Sequence, residues 1–218
     1  MQTIIVMVCL GLLLWIEPAC AKDYPLKVSV HQDLLTNKKD LQALTNEVDS
    51  LLLRASMRLK GRCDFDITFS RNGPIEPFTS APSIIKTPED LEAVHSVPAD
   101  VKIIKEIKYC TGNPPWVGCS FRPDVTPGVH LNKTMIVNRY SPPIANARPN
   151  LWAHEFGHTT GLHHRVDARA ALMTPCGIRS WNWRLTKEEC SCLLAGPNNG
   201  LEDCKRPDTP PMCLDQRR

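Results

Sequence analysis

The sequence predicts an α+β domain stabilised by disulfides. Strand-like alternation and helix-like apolar spacing are mixed along the chain without a repeating strand–helix unit, and no internal repeat is present. An even set of eight cysteines follows an apolar leader, the pattern of a disulfide framework built in an oxidising compartment.

The leader comes first. Ile4 to Ile16 is almost wholly apolar, and Ala19-Cys20-Ala21 ends it in a small-x-small pattern. Residues 1–21 therefore read as a secretory signal peptide cut after Ala21. The apolar run is shorter than the roughly 20 residues that span a bilayer, and Glu17 and Pro18 close it. No stable membrane anchor is expected, and the protein is expected to be secreted. Removing the leader also removes Cys9, Cys20 and Glu17. The mature chain keeps 26 basic and 22 acidic residues, a net charge of +4. The basic residues are dispersed, so nothing points to a nucleic-acid partner.

Leu26 to Val30 alternates as a first strand. Asn37 to Arg62 reads as a helix whose apolar face is Leu41, Leu44, Val48, Leu51, Leu52, Ala55 and Leu59, with Gly61 where it should stop. Phe65, Ile67 and Phe69 alternate as a second strand, and Asn72-Gly73-Pro74 is a turn. Residues 76–88 read as loop. Thr87-Pro88-Glu89-Asp90 opens a short helix ending near His95. Val101 to Tyr109 returns to strand. Residues 110–119 form a compact loop, and Val129 to Val137 is strand broken near Asn132-Lys133. A proline-rich approach leads into a helix at Asn150. Residues 22–195 are expected to form the domain. Residues 196–218, with several prolines and two cysteines, read as an irregular tail fastened by disulfides.

The mature cysteines are Cys63, Cys110, Cys119, Cys176, Cys190, Cys192, Cys204 and Cys213. No C-x-x-C pair is present, which argues against a cysteine-bound metal. Eight cysteines allow 105 pairings. Cys110 and Cys119 bracket a turn-rich loop and are the pair most readily joined. Cys190 and Cys192 are one residue apart and should bond to different partners. Asn132-Lys133-Thr134 is a glycosylation sequon, with Asn132 the acceptor if the source is a eukaryote.

The chemistry lies between His154 and His164, in the run His-Glu-Phe-Gly-His-Thr-Thr-Gly-Leu-His-His. His154 and His158 are four apart and share one face of a helix, so they can chelate one ion. Gly161 lies where the helix must end and can take the left-handed conformation that turns the chain back. That turn lets His164 supply a third imidazole; the spacing favours it over His163. Three protein ligands with an open fourth position is the catalytic arrangement for zinc. Glu155 cannot point the same way as His154, but its carboxylate can reach a water in the open position and act as general base.

His154 to His164 resembles the zinc motif of the metzincin metallopeptidases. Met173, in Ala171-Leu172-Met173-Thr174-Pro175, resembles the methionine of their Met-turn, most closely in its matrixin form. The two motifs cover about a tenth of the chain. The resemblance implies a metzincin-like catalytic domain with a twisted mixed sheet, a backing helix and an active-site helix. It also implies one catalytic Zn²⁺ on His154, His158 and His164, Glu155 as base, and a protein or peptide substrate cleaved by a monomeric enzyme. Three departures accompany it. Arg165 is not the residue expected after the third histidine in matrixins or astacins. No tyrosine follows Met173. No prodomain is expected before the first strand, so the enzyme should be active once folded and loaded with metal. Arg62-Cys63-Asp64 lacks the flanking pattern of a matrixin cysteine switch, and Cys63 is expected in a disulfide.

Other residues have plainer roles. His31, His95 and His130 have no spacing that ties them to the metal. Trp152 reads as core. Trp181 and Trp183 could wall a substrate pocket or pack in the core, and Asp167 could support a ligand imidazole or lie exposed. Two alternatives to a peptidase remain: a zinc hydrolase of a non-peptide amide, and a toxin-like or binding protein on the same fold. An intact Glu155 argues against the second.

Overall fold

The computed structural model describes residues 21–110, 117–120, 134–139, 147–165, 170–174, 183–197 and 204. Cys176, Cys213, Asn132, His130, Asp167 and Trp181 lie outside the described residues, as do the leader and most of the tail.

The architecture is α+β, with four α-helices among the described residues and mixed strand pairing. A five-stranded sheet runs in the order β4 (Glu76–Phe78), β2 (Val28–His31), β6 (Val101–Ile104), β9 (Met135–Asn138), β8 (Gly118–Ser120). Its first four strands are parallel, and β8 is an antiparallel edge. Two small parallel pairs accompany it: β1 (Ala21–Leu26) with β3 (Asp66–Arg71), and β5 (Ile84–Ile85) with β7 (Glu106–Ile107).

The two faces of the sheet carry separate cores. Val28, Val30, Val101, Ile103, Met135 and Val137 face helices α1 (Lys38–Leu59) and α3 (Arg148–Thr159). Their alternates Ile104, Ile136 and Cys119 join Ile85, Leu91 and Val94 on the face of helix α2 (Pro88–His95). This is the period-2 side-chain alternation of a strand.

Helix α1 buries Leu44, Val48, Leu51, Leu52, Ala55 and Leu59, with Leu41 half-buried at the edge of the same stripe. Asn37 and Asp40 form a reciprocal capping box at its start. Gly61 follows its end at φ 67°. Thr87 and Asp90 cap α2 in the same way.

The expected first strand is two strands, β1 and β2, split at Lys27. There the backbone leaves the pairing with β3 and bonds instead to Asp100 and Val101. The stretch 76–88, expected as loop, contains β4 and β5. Both are edge pairings of two or three residues, too short to show a period. The expected strand from Val101 to Tyr109 is broken into β6 and β7. The end of the expected loop at 110–119 is β8, and the helix expected at Asn150 starts at Arg148, with Pro149 in its first turn, where a missing N–H costs nothing. A fourth helix, α4 (Lys187–Ala195), was not expected. It begins with a Thr186–Glu189 capping box and ends at Gly196, φ 80°.

Among the described residues three disulfides are formed: Cys63–Cys190, Cys110–Cys119 and Cys192–Cys204. Cys110 joins Cys119 as expected, and the neighbours Cys190 and Cys192 go to different partners. The bonds suit an oxidising, secretory-type compartment. Among the described residues no helix is long and apolar enough to cross a membrane.

Candidate metal centre

Helix α3 carries His154, Glu155 and His158, and every residue from Pro149 to Thr159 is buried. Its end is a Schellman turn. The Leu162 N–H donates to Gly157 O at 3.0 Å and the Gly161 N–H to His158 O at 2.9 Å. Gly161 adopts φ 93°, a region that only glycine enters at little cost. The turn sends the chain back so that His164 meets His154 and His158.

The three histidines form one group whose ligand atoms lie within 4.8 Å of one another. His158 Nε2 is 3.2 Å from His154 Nε2 and 3.1 Å from His164 Nε2. The outer nitrogens of two rings are committed. His154 Nδ1 donates to Leu172 O at 2.7 Å, and His158 Nδ1 donates to Leu162 O at 2.8 Å. A carbonyl oxygen can only accept, so each Nδ1 carries the proton and, in the neutral ring, each Nε2 presents a lone pair. Two such lone pairs facing each other at 3.2 Å repel, unless a cation stands between them. The group therefore has the donor chemistry to hold a metal ion. Burial, with the neighbouring His164 adding to it, pushes His154 down to about 3, while the Leu172 carbonyl opposes. The imidazole is thus kept neutral, as a ligand must be.

The segment Ala171–Thr174 supplies the mount. Met173 is fully buried. A Cβ on Gly157 would stand 2.5 Å from its Sδ, so the glycine inside the histidine motif is what admits the methionine against α3. Leu172 O holds His154, and Met173 O accepts from the Arg165 N–H at 2.8 Å. The Arg165 side chain pairs with Glu189 Oε2 at 2.9 Å. The unexpected residue after the third histidine therefore ties it to the first turn of α4.

Glu155 is 4 % exposed, and its Oε2 has no hydrogen-bond partner among the described residues. Burial pushes its carboxyl up to about 7; the Ser120 hydroxyl opposes this but stands outside hydrogen-bonding geometry.

His163 is half-buried and outside the group. His31 bonds Ala81 O at 2.9 Å, and His95 is buried at the end of α2. Trp152 is core, as expected. Trp183 lies under the Arg62 guanidinium, 3.6 Å from the ring centroid, which favours packing over an open pocket wall.

No family model and no curated protein sequence matches this chain. Solved structures similar to it include one titled "Structure of a chaperone-substrate complex". That match has a TM-score of 0.44 and 13 % identity, covering 81 % of this chain and 33 % of that one. The chain thus spans about a third of that protein's length, and a likeness of this extent assigns neither family nor activity.

Sequence reasoning did not find the part played by β8, whose Gly118 abuts Glu155, or by Glu189. The Thr186–Glu189 capping spacing was the available signal for α4.

Proposed function

We propose that the protein is a secreted, zinc-dependent endopeptidase of the metzincin type. The observation that carries this reading is the convergence of three imidazole Nε2 atoms, two with their lone pairs fixed inward, one residue along the helix from a buried carboxylate. Tetrahedral zinc with Zn–N bonds of about 2.0–2.1 Å needs nitrogens about 3.3–3.4 Å apart, close to the 3.1 and 3.2 Å separations here.

His154, His158 and His164 would hold the ion. Bound zinc would supply a water of pKa about 7 and polarisation of the scissile carbonyl. Glu155 takes the proton from the attacking water and returns it to the leaving amine. A carboxyl raised to about 7 suits both halves of that transfer near neutral pH. The carbonyls of Leu172 and Leu162 keep two imidazoles in the required tautomer, and Met173 packs against Gly157 of the same helix. The substrate class is protein or peptide.

The test is a casein or peptide-library digest of the purified secreted protein, with and without a chelator, beside a metal analysis. About one zinc per chain and chelator-sensitive cleavage of peptide bonds are expected. A zinc-loaded protein that cleaves no peptide refutes the reading.

A further inference from the structure

Strand β8 is three residues long, and its faces differ. Cys119 points to the α2 side, where it bonds Cys110 and joins that core. Gly118 and Ser120 point to the α3 side, paired with Val137 and Met135. A Cβ built on Gly118 would stand 2.7 Å from Cγ of Glu155 and 2.5 Å from Cδ, and closer still to Oε1. Three successive groups of one side chain would collide, so turning the terminal carboxylate alone does not clear the space. Glu155 is 4 % exposed and has no solvent to retreat into. The strand cannot yield easily either: it is laddered to β9 and bonded from its far face by Cys110–Cys119.

We infer that Gly118 is a positioning residue for Glu155: the absent side chain at 118 is the seat that sets where the carboxylate lies. This rests on the role given to Glu155 above, but the contact can be tested apart from it. Any side chain at 118 drives Glu155 out of its seat, at a cost in both fold and turnover.

The experiment is a set of thermal melts of the full secreted chain in metal-containing buffer. Gly118→Ala is made in three backgrounds: unsubstituted, Glu155→Gln and Glu155→Ala. Overpacking of this kind lowers Tm by roughly 2–12 °C in a domain of this size. That loss is expected in the unsubstituted and Glu155→Gln backgrounds, where the side chain keeps its shape. It should vanish in the Glu155→Ala background, where the obstruction is gone. If Gly118→Ala alone does not fold, recovery of folding by Glu155→Ala supports the seat. An equal loss in all three backgrounds, no loss in any, or a Gly118→Ala/Glu155→Ala chain that does not fold overturns it. In the active enzyme, Gly118→Ala should lower kcat by about 10²-fold, as a misplaced group does, with KM nearly unchanged. If the unsubstituted protein cleaves no peptide, the peptidase reading falls, and the melts still decide the role of Gly118.

Discussion

Replacing Lys102 by methionine tests how the sheet tolerates a buried amine. Lys102 is fully buried on the α2 face of β6. Its Nζ donates to Thr134 Oγ1 at 2.7 Å and to His95 O at 3.2 Å. Burial pushes it from its ordinary 10.5 down to about 7, with Asp100 opposing. His95, beside it, is pushed down to about 3 by burial and then by Lys102, and so stays neutral. Between about pH 7 and 10.5 the unfolded chain binds a proton at Lys102 that the folded chain does not. Stability therefore rises with pH across that window, by about 1.4 kcal/mol per pH unit. Over the whole window the protonation preference of the unfolded chain costs the fold about 5 kcal/mol. Tyr24, raised to about 12 by burial, acts in the opposite sense above pH 10, so the measurement stays below that. Urea unfolding of the parent and Lys102→Met should show the parent losing about 3 kcal/mol relative to the variant as the pH is lowered from 9.5 to 7.5. The parent gains with pH and the variant does not. Parallel curves refute the reasoning.

Other outcomes follow from the site. Glu155→Gln should keep the metal and the fold but lose turnover by about 10²–10⁴-fold, measured beside metal content. His164→Ala should lose metal or activity while His163→Ala stays mild; the reverse ranking would move the third ligand. Metal removal should lower Tm, since an ion at 100 times its Kd stabilises by about 2.7 kcal/mol; equal melting points with and without chelator would exclude a bound ion. Glu189→Gln should weaken metal affinity through Arg165, read by competition with a chelator of known strength, and unchanged affinity would reduce that pair to a surface contact.

Much of the fold was legible wherever one segment carries its own signal. Helix α1 announces its face and its Gly61 stop. The run from His154 to His164 contains both the helical spacing and the glycine that ends it. Cys110 and Cys119 enclose their own loop. What stayed hidden depends on partners far along the chain. β4 and β5 exist because neighbouring strands offer edges, and two or three residues cannot display a period. The break at Lys27 is set by Asp100, more than seventy residues away. The meeting of Gly118 with Glu155 joins a glycine in a turn-rich stretch to a helix with which it shares no pattern. Helix α4 was the avoidable miss, since Thr186 and Glu189 carry the same capping spacing that marked α2.

The mounting of the third histidine bears on the order in which the chain is made. His164 is carried by a turn whose Gly161 lies against Cys204: a Cβ there would stand 3.2 Å from that of the cysteine. Cys204 is bonded to Cys192 on α4, and Arg165 is held by Glu189 on the same helix. All three imidazoles thus precede these C-terminal braces in the chain and are synthesised before them. A chain stopped short of Glu189 keeps its histidine pair on α3 and the Arg165–Met173 backbone bond but lacks the braces from α4 and Cys204. Assembly of the centre is thereby coupled to completion and oxidation of the C-terminal portion, and a truncated product carries the whole histidine motif without the scaffold that closes it.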